Sequence, residues 1–185
     1  MLTIVKIVSR QAGFSLIEMM IVLVIFAIGL AIGLPSYSLW VANSKIRNAA
    51  ESILNGIQLA RAEAVMRNTS VQFVVAANSG WSVGCSVPTA TCPAVIQSRA
   101  ASEGSVGVTV AESNSGTANT VFFNSFGSSV TAAGAAGPAR VDFDVDSSVL
   151  SAANSRELRV SVFRSGSVRM CDRNLGGTDP RRCVN

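Results

Sequence analysis

The chain has 185 residues, 49% of them hydrophobic and 14% charged, with a net charge of +4 at pH 7. It contains no histidine, and it shows no glycine-rich phosphate loop and no Ser or Cys with an activating partner. The commonest layouts for general-base catalysis, nucleophilic catalysis and nucleotide binding are thereby excluded, and an enzyme is not expected.

Residues 1–13 read as a short leader whose only charges are Lys6 and Arg10. Basic residues beside an apolar span stay in the cytoplasm, which sends the C-terminal bulk outward. From Phe14 to Leu34 run 21 residues, which as a helix would be about 31 Å long, enough to cross a bilayer core. No charged or strongly polar side chain lies between Met19 and Leu34, and one carboxylate, Glu18, sits just inside the start. A charge in such a segment costs roughly 2.5–3.5 kcal/mol on insertion scales, so Glu18 is either functional or held at the wet interface. A secretory signal is cleaved behind its apolar core, near small residues. Here the small residue Gly13 precedes the core, and no A-x-A pattern lies between Gly33 and Tyr37.

The stretch Gly13-Phe14-Ser15-Leu16-Ile17-Glu18 resembles the processing site of type IV prepilins and type II secretion pseudopilins. The resemblance implies cleavage between Gly13 and Phe14 by a prepilin peptidase, N-methylation of Phe14, and a role for Glu18 in docking into a growing filament. Cleavage would leave a cationic amine one helical turn from Glu18, so the two charges can neutralise each other within a subunit or between neighbours.

Pro35 is expected to bend the helix or break one turn, and Gly29 and Gly33 weaken the same region. A second, amphipathic helical stretch is expected over 35–68. Ile46, Ala50, Ile53, Ile57, Ala60 and Ala64 form one stripe that should face a sheet, with Lys45, Arg47, Glu51, Arg61, Glu63 and Arg67 mostly on a solvated face. Asn68 tolerates the left-handed conformation and is the expected stop. The segment Gln58-Leu59-Ala60-Arg61-Ala62-Glu63-Ala64 is similar to a landmark of the GspH/FimT branch, where the long helix ends before the first strand.

Beyond Asn68 the period becomes two and β-branched and aromatic residues take over. Strands are expected over 71–76, 80–83, 106–110, 120–123, 140–145, 157–163 and 167–171, with a hairpin turn at Arg164-Ser165-Gly166-Ser167 and a loop over the Ala/Gly run 132–137. One long helix followed by regular short strands gives an α+β class with antiparallel sheets. The resemblance makes that a type IV pilin-like fold: leader 1–13, membrane or filament-core helix 14–34, amphipathic continuation 35–68, and a β-rich periplasmic domain 69–185.

The four cysteines fall into two local pairs, Cys85 with Cys92 and Cys171 with Cys183. Their spacings are not those of zinc ligands, and in an exported domain they read as two disulfide loops. Closing a loop of this size is worth roughly 3 kcal/mol in the entropy model. Asp142, Asp144 and Asp146 suggest a calcium loop, but Ser147 and Ala153 stand where Gly and Glu are needed. The alternation with Val141, Phe143 and Val145 favours an acidic strand face instead. No metal or other cofactor is expected.

Residues 156–185 carry seven arginines against three acids, while 102–155 carry one arginine against five acids. Such an asymmetry attracts phosphates. In FimT proteins a basic C-terminal region around a G-R-x-R motif is implicated in DNA binding. The corresponding turn here is Gly166-Ser167-Val168-Arg169, so the first arginine of the motif is absent and only Arg169 carries over. Arg164, Arg173, Arg181 and Arg182 are the other candidate contacts to double-stranded DNA, with salt bridges to neighbouring subunits or to the acidic strand as the competing reading. The resemblance thus implies a minor pilin of a bacterial inner membrane that enters a type IV pilus. Its partners would be the prepilin peptidase, the major pilin and other minor pilins. A DNA-binding minor pilin and a minor pseudopilin of type II secretion are the alternatives.

Overall fold

A computed structural model describes residues 13–103, 105–114, 119–131, 139–145 and 154–183. Leader residues 1–12, the Ala/Gly run 132–137 and Asp146 lie outside them. The chain divides into two units after Ser38. The first contains the opening part of helix α1 (Leu16–Arg67), and its helical assignment continues through Pro35. The expected broken turn is absent: proline removes one backbone donor and one rung, and the rungs on either side still hold the helix.

In the second unit, residues 39–67 of α1 supply one wall of the core. Ile46, Ala50, Ile53, Ile57, Ala60 and Ala64 are all buried, joined by Ala42 and Ala49. The helix ends as a Schellman motif: the Thr69 N–H donates to Ala64 O (3.2 Å) and the Asn68 N–H to Val65 O (3.3 Å), with Asn68 at φ 50°. The supposed solvated face is only partly so. Arg61 and Arg67 are half-buried and donate to the carbonyls of Gly127 (3.1 Å) and Thr91 (2.6 Å).

Nine strands follow among the described residues: β1 (Val71–Val75), β2 (Trp81–Cys85), β3 (Gln97–Arg99), β4 (Val108–Asn114), β5 (Thr120–Phe123), β6 (Ser129–Val130), β7 (Ala139–Val145), β8 (Leu158–Val162) and β9 (Val168–Asp172). They form a five-stranded sheet, β3-β2-β1-β5-β6, and a four-stranded sheet, β4-β7-β8-β9. All neighbours are antiparallel. Strict alternation on β1 and β8 buries Val71, Phe73 and Val75, and Leu158, Val160 and Val162, against the helix stripe. Seven of these strands are the expected ones, β5 with the expected bounds and the other six with shifted ends. β4 begins two residues late because Gly107, at φ 85°, is still turning.

The two sheets meet at paired turns. The Ser129 N–H of β6 donates to Arg164 O in the β8–β9 turn (3.1 Å). Gly166 lies so close to the β5–β6 turn that a Cβ there would stand 1.8 Å from Gly127 O. Both glycines have positive φ, and Arg61 reaches the same carbonyl, so helix and both turns share one junction.

Gly56 creates a second close approach. A Cβ on it would lie 2.7 Å from Phe73 Cε2 and 3.1 Å from Trp81 Cε2. The two rings pack at 5.8 Å between centroids, and the Trp81 indole N–H donates to Ser52 Oγ at 2.8 Å. Overpacking of this kind costs about 1–3 kcal/mol, so Gly56→Val in the full chain should melt several degrees lower. Gly176→Ala has nothing within 4 Å of its Cβ position and should melt unchanged. Equal melts for the two variants, measured in detergent by circular dichroism, would show that the helix does not rest on the aromatic pair.

Candidate functional site

The processing and arginine residues singled out by sequence fall in two regions of the chain. In the first, Ser15 is the residue before α1, and its Oγ accepts the Glu18 N–H at 3.2 Å. This is the S-x-x-E arrangement of a capping box, which places Glu18 in the first turn, where the helix dipole favours a carboxylate. Gly13 and Phe14 lie ahead of the helix and are exposed, Phe14 at 77%. From Leu16 to Leu34 every described side chain is exposed, and the best 18-residue window has a mean hydropathy of 2.7 with none of it buried. A helix apolar on all sides is suited to lipid or to the interior of an assembly. Exposed Tyr37 and Trp40 follow it, as aromatic residues do at a membrane boundary.

The second region is the C-terminal end. Cys171 is bonded to Cys183 (Cα–Cα 4.9 Å) and Cys85 to Cys92 (Cα–Cα 5.8 Å). The tail returns along the edge of β9. The Asp172 N–H donates to Arg181 O (2.8 Å) and the Cys183 N–H to Asp172 O (3.3 Å). Arg169 projects from β9 and donates to Pro180 O (2.6 Å), which joins it to the disulfide loop. Arg181 makes a two-pronged pair with Asp179, at 3.2 and 3.0 Å. Arg182 is exposed in the same loop.

Arg164 and Arg173 are not gathered with these three. Arg164 is exposed in the β8–β9 turn, beyond the far end of β9. Arg173 lies 3.5 Å from Glu157, a pairing that follows from the β8–β9 register. By the same kind of register Arg159 stands opposite Asp142. Among the described residues no group of His, Cys, Asp and Glu could hold a metal ion, and Asp142 and Asp144 lie in β7.

Sequence reading passed over three features here. Ser15-x-x-Glu18 was legible as a capping box. Asp172 is a buried carboxylate, and Asn43 accepts the Arg156 N–H at 2.9 Å to tie α1 to the approach to β8. Neither of the latter has a local sequence signal, because the partners are more than a hundred residues apart or belong to one edge strand.

The long N-terminal helix packed on antiparallel sheets is a type IV pilin-like fold. It is shared with the type IV minor pilin FimU of Pseudomonas aeruginosa PAO1 (TM-score 0.50, 15% identity, covering 69% of this chain and 88% of that one). It is shared equally with the minor pseudopilin EpsH of the type 2 secretion system of Vibrio cholerae (TM-score 0.51, 13% identity, 71% and 99%). Residues 8–34 match the prokaryotic N-terminal methylation motif, and residues 49–166 match the type II transport protein GspH. The chain belongs to the GspH family. No curated protein sequence matches it significantly.

Arg181 donates to Asp179 first through its side chain and then through its backbone N–H, holding the Asp179 carboxyl below the ordinary carboxylate value and raising the Arg181 guanidinium further above its own. A carboxylate with a depressed folded pKa stabilises the loop above its unfolded pKa and loses that contribution as pH falls through the folded value. The Arg181 amide resonance should therefore titrate with a midpoint below that of an ordinary aspartate. Asp179→Asn should remove the step, and a titration centred higher would mean that the pair is not formed.

Proposed function

We propose that this chain is a minor pilin of the GspH/FimT type that takes part in assembly and priming of a type IV pilus, with the filament tip as its candidate position. A prepilin peptidase cuts between Gly13 and Phe14, and Phe14 becomes the N-methylated terminus. Residues 14–34 anchor the chain in the bacterial inner membrane, and residues 69–185 stand in the periplasm until the helix packs among those of the major pilin and other minor pilins. The observation that carries this reading is the apolar helix exposed on every side with one carboxylate in its capped first turn. The new Phe14 amine would sit at the positive end of the helix dipole, where it needs a counter-charge, and Glu18 of the same or an adjoining subunit supplies one.

The family description, a type II transport protein, and the FimU and EpsH likenesses leave two machineries in view. The tail from Met170 to Cys183 favours the pilus over a type II secretion pseudopilus by its resemblance to FimT/FimU tails. A DNA-binding minor pilin for natural transformation is the second reading, supported by Arg169, Arg181 and Arg182 around one disulfide loop.

Mass analysis of the mature protein should find Phe14 as its first residue. Glu18→Ala should leave insertion and cleavage intact and remove the protein from sheared filaments. A mature chain beginning beyond Leu34, or normal incorporation of the variant, would count against this reading. For DNA, a mobility shift of the full chain in detergent should weaken on replacing Arg169 and Arg182 and should fall with salt. No shift at low salt would remove the second reading.

A further inference from the structure

The last turns of α1 and the β8–β9 hairpin leave a groove of about 710 Å³ between them in the second unit. Ala62, Val65, Met66 and Val168 give it apolar walls, and Gln58 and Arg61 line it too. Beside the groove, the β5–β6 turn carries Phe126, which at 86% is more exposed than any other large apolar side chain among the described residues. Phe126 directly precedes Gly127, whose Cβ position lies 3.0 Å from Val65 Cγ2. The turn is held from both sides. Asn124 Oδ1 accepts the Phe126 and Ser128 N–H groups at 3.1 and 3.0 Å, and Gly127 O accepts Arg61. An aromatic side chain on so fixed a turn gives up little freedom when it is covered, which is the property of an interface anchor.

Charge selects what covers it. Over 58–68, 124–130 and 163–168 the charged side chains are Arg61, Glu63, Arg67 and Arg164. Glu63 is taken by Arg67 at 2.6 Å. Arg61 uses only its Nε, on a carbonyl, so its terminal nitrogens and their donors meet no carboxylate. Arg164, in the turn that bounds the groove, is exposed and its side chain pairs with no described residue. Two cations therefore stand at this apolar site with no acid of their own. A two-fold contact with a second copy would set these cations against themselves. A nucleic-acid backbone would satisfy the cations and gain nothing from Val65, Met66 or Val168. A polypeptide with a carboxylate beside an apolar side chain uses all of it: the carboxylate on Arg61, the apolar group on the walls, and the main chain on the Gln58 amide, which has both donors and its acceptor to offer.

We propose that this groove, with Phe126 as its anchor, docks an acidic and apolar segment of a different protein chain. That the chain is another filament subunit rests on the assembly reading. The preference for an acidic, apolar peptide does not.

The test is a nuclear magnetic resonance titration of the methyl-labelled full chain, in nanodiscs of zwitterionic lipid, with N-acetyl-Leu-Glu-Glu-Leu amide, with the matching Leu-Gln-Gln-Leu peptide and with a short DNA duplex. The glutamate peptide should give saturable shifts at the Val65, Met66 and Val168 methyls. Affinity should fall at least about tenfold in Met66→Glu, which removes apolar wall and repels the carboxylates, and severalfold in Arg164→Gln. Both replaced side chains are exposed, and a thermal melt checks that each variant folds. An equal response to the glutamine peptide, or shifts that both variants leave unchanged, would overturn the proposal. Tighter binding of the duplex at the same methyls would overturn it in favour of nucleic acid. Shifts of those methyls with protein concentration alone would overturn it in favour of a second copy. None of these results alters the mass of the mature chain or the behaviour of Glu18→Ala, so the groove and the assembly reading fail separately.

Discussion

One helix in this protein serves two solvents, and everything else is arranged around that requirement. From Met19 to Leu34 its described side chains are apolar on every face and exposed. At about 25 cal/mol per Å² of apolar surface, leaving such a helix in water is untenable, so it must lie in lipid or among other helices. From residue 39 onward the apolar surface narrows to a stripe, and that stripe is already covered by sheet. No single partner satisfies both halves.

The covered half is built from small residues. Ala42, Ala49, Ala50, Ala60 and Ala64 alternate with Ile46, Ile53 and Ile57, and Gly56 admits Phe73 and Trp81 to the helix backbone. Small side chains contribute little area each, so the gain comes from close approach and dense contact. Close approach in turn demands that both sheets be held at fixed depth. Arg61 does this by donating to Gly127 O, where the β5–β6 and β8–β9 turns touch. A charged residue that reads as solvent-facing in the sequence is therefore part of the internal bracing, with its stem along the helix and its head on a carbonyl.

What could be read from the residues alone was whatever repeats along the chain. The stripe at spacings of three and four, the period-two strands and the left-handed Asn68 all have local causes, and the structure contains them. β3 was invisible because Gln97, Ser98 and Arg99 are polar and lie on a sheet edge, and β6 because two residues carry no period. Pro35 breaks no turn, since a local preference against helix is outweighed by the rungs on both sides. For the candidate sites, Glu18 was legible through its isolation in apolar sequence. The Asn43 tie to Arg156 was not, because the two come together only through tertiary structure.

Charge illustrates why counting differs from geometry. Residues 156–185 have seven arginines and three acids, which suggests a strongly basic end. The fold spends those acids locally: Glu157 on Arg173, Asp179 on Arg181, and Asp172 beside Arg156. The register also sets Arg159 opposite Asp142 of the acidic strand. What remains turned outward is Arg164 at one end of β9, with Arg169 and Arg182 nearer the other, a sparse set and not a continuous track. Since the salt dependence of nucleic-acid binding scales with the number of phosphates neutralised, so sparse a set supports only weak, salt-sensitive attraction.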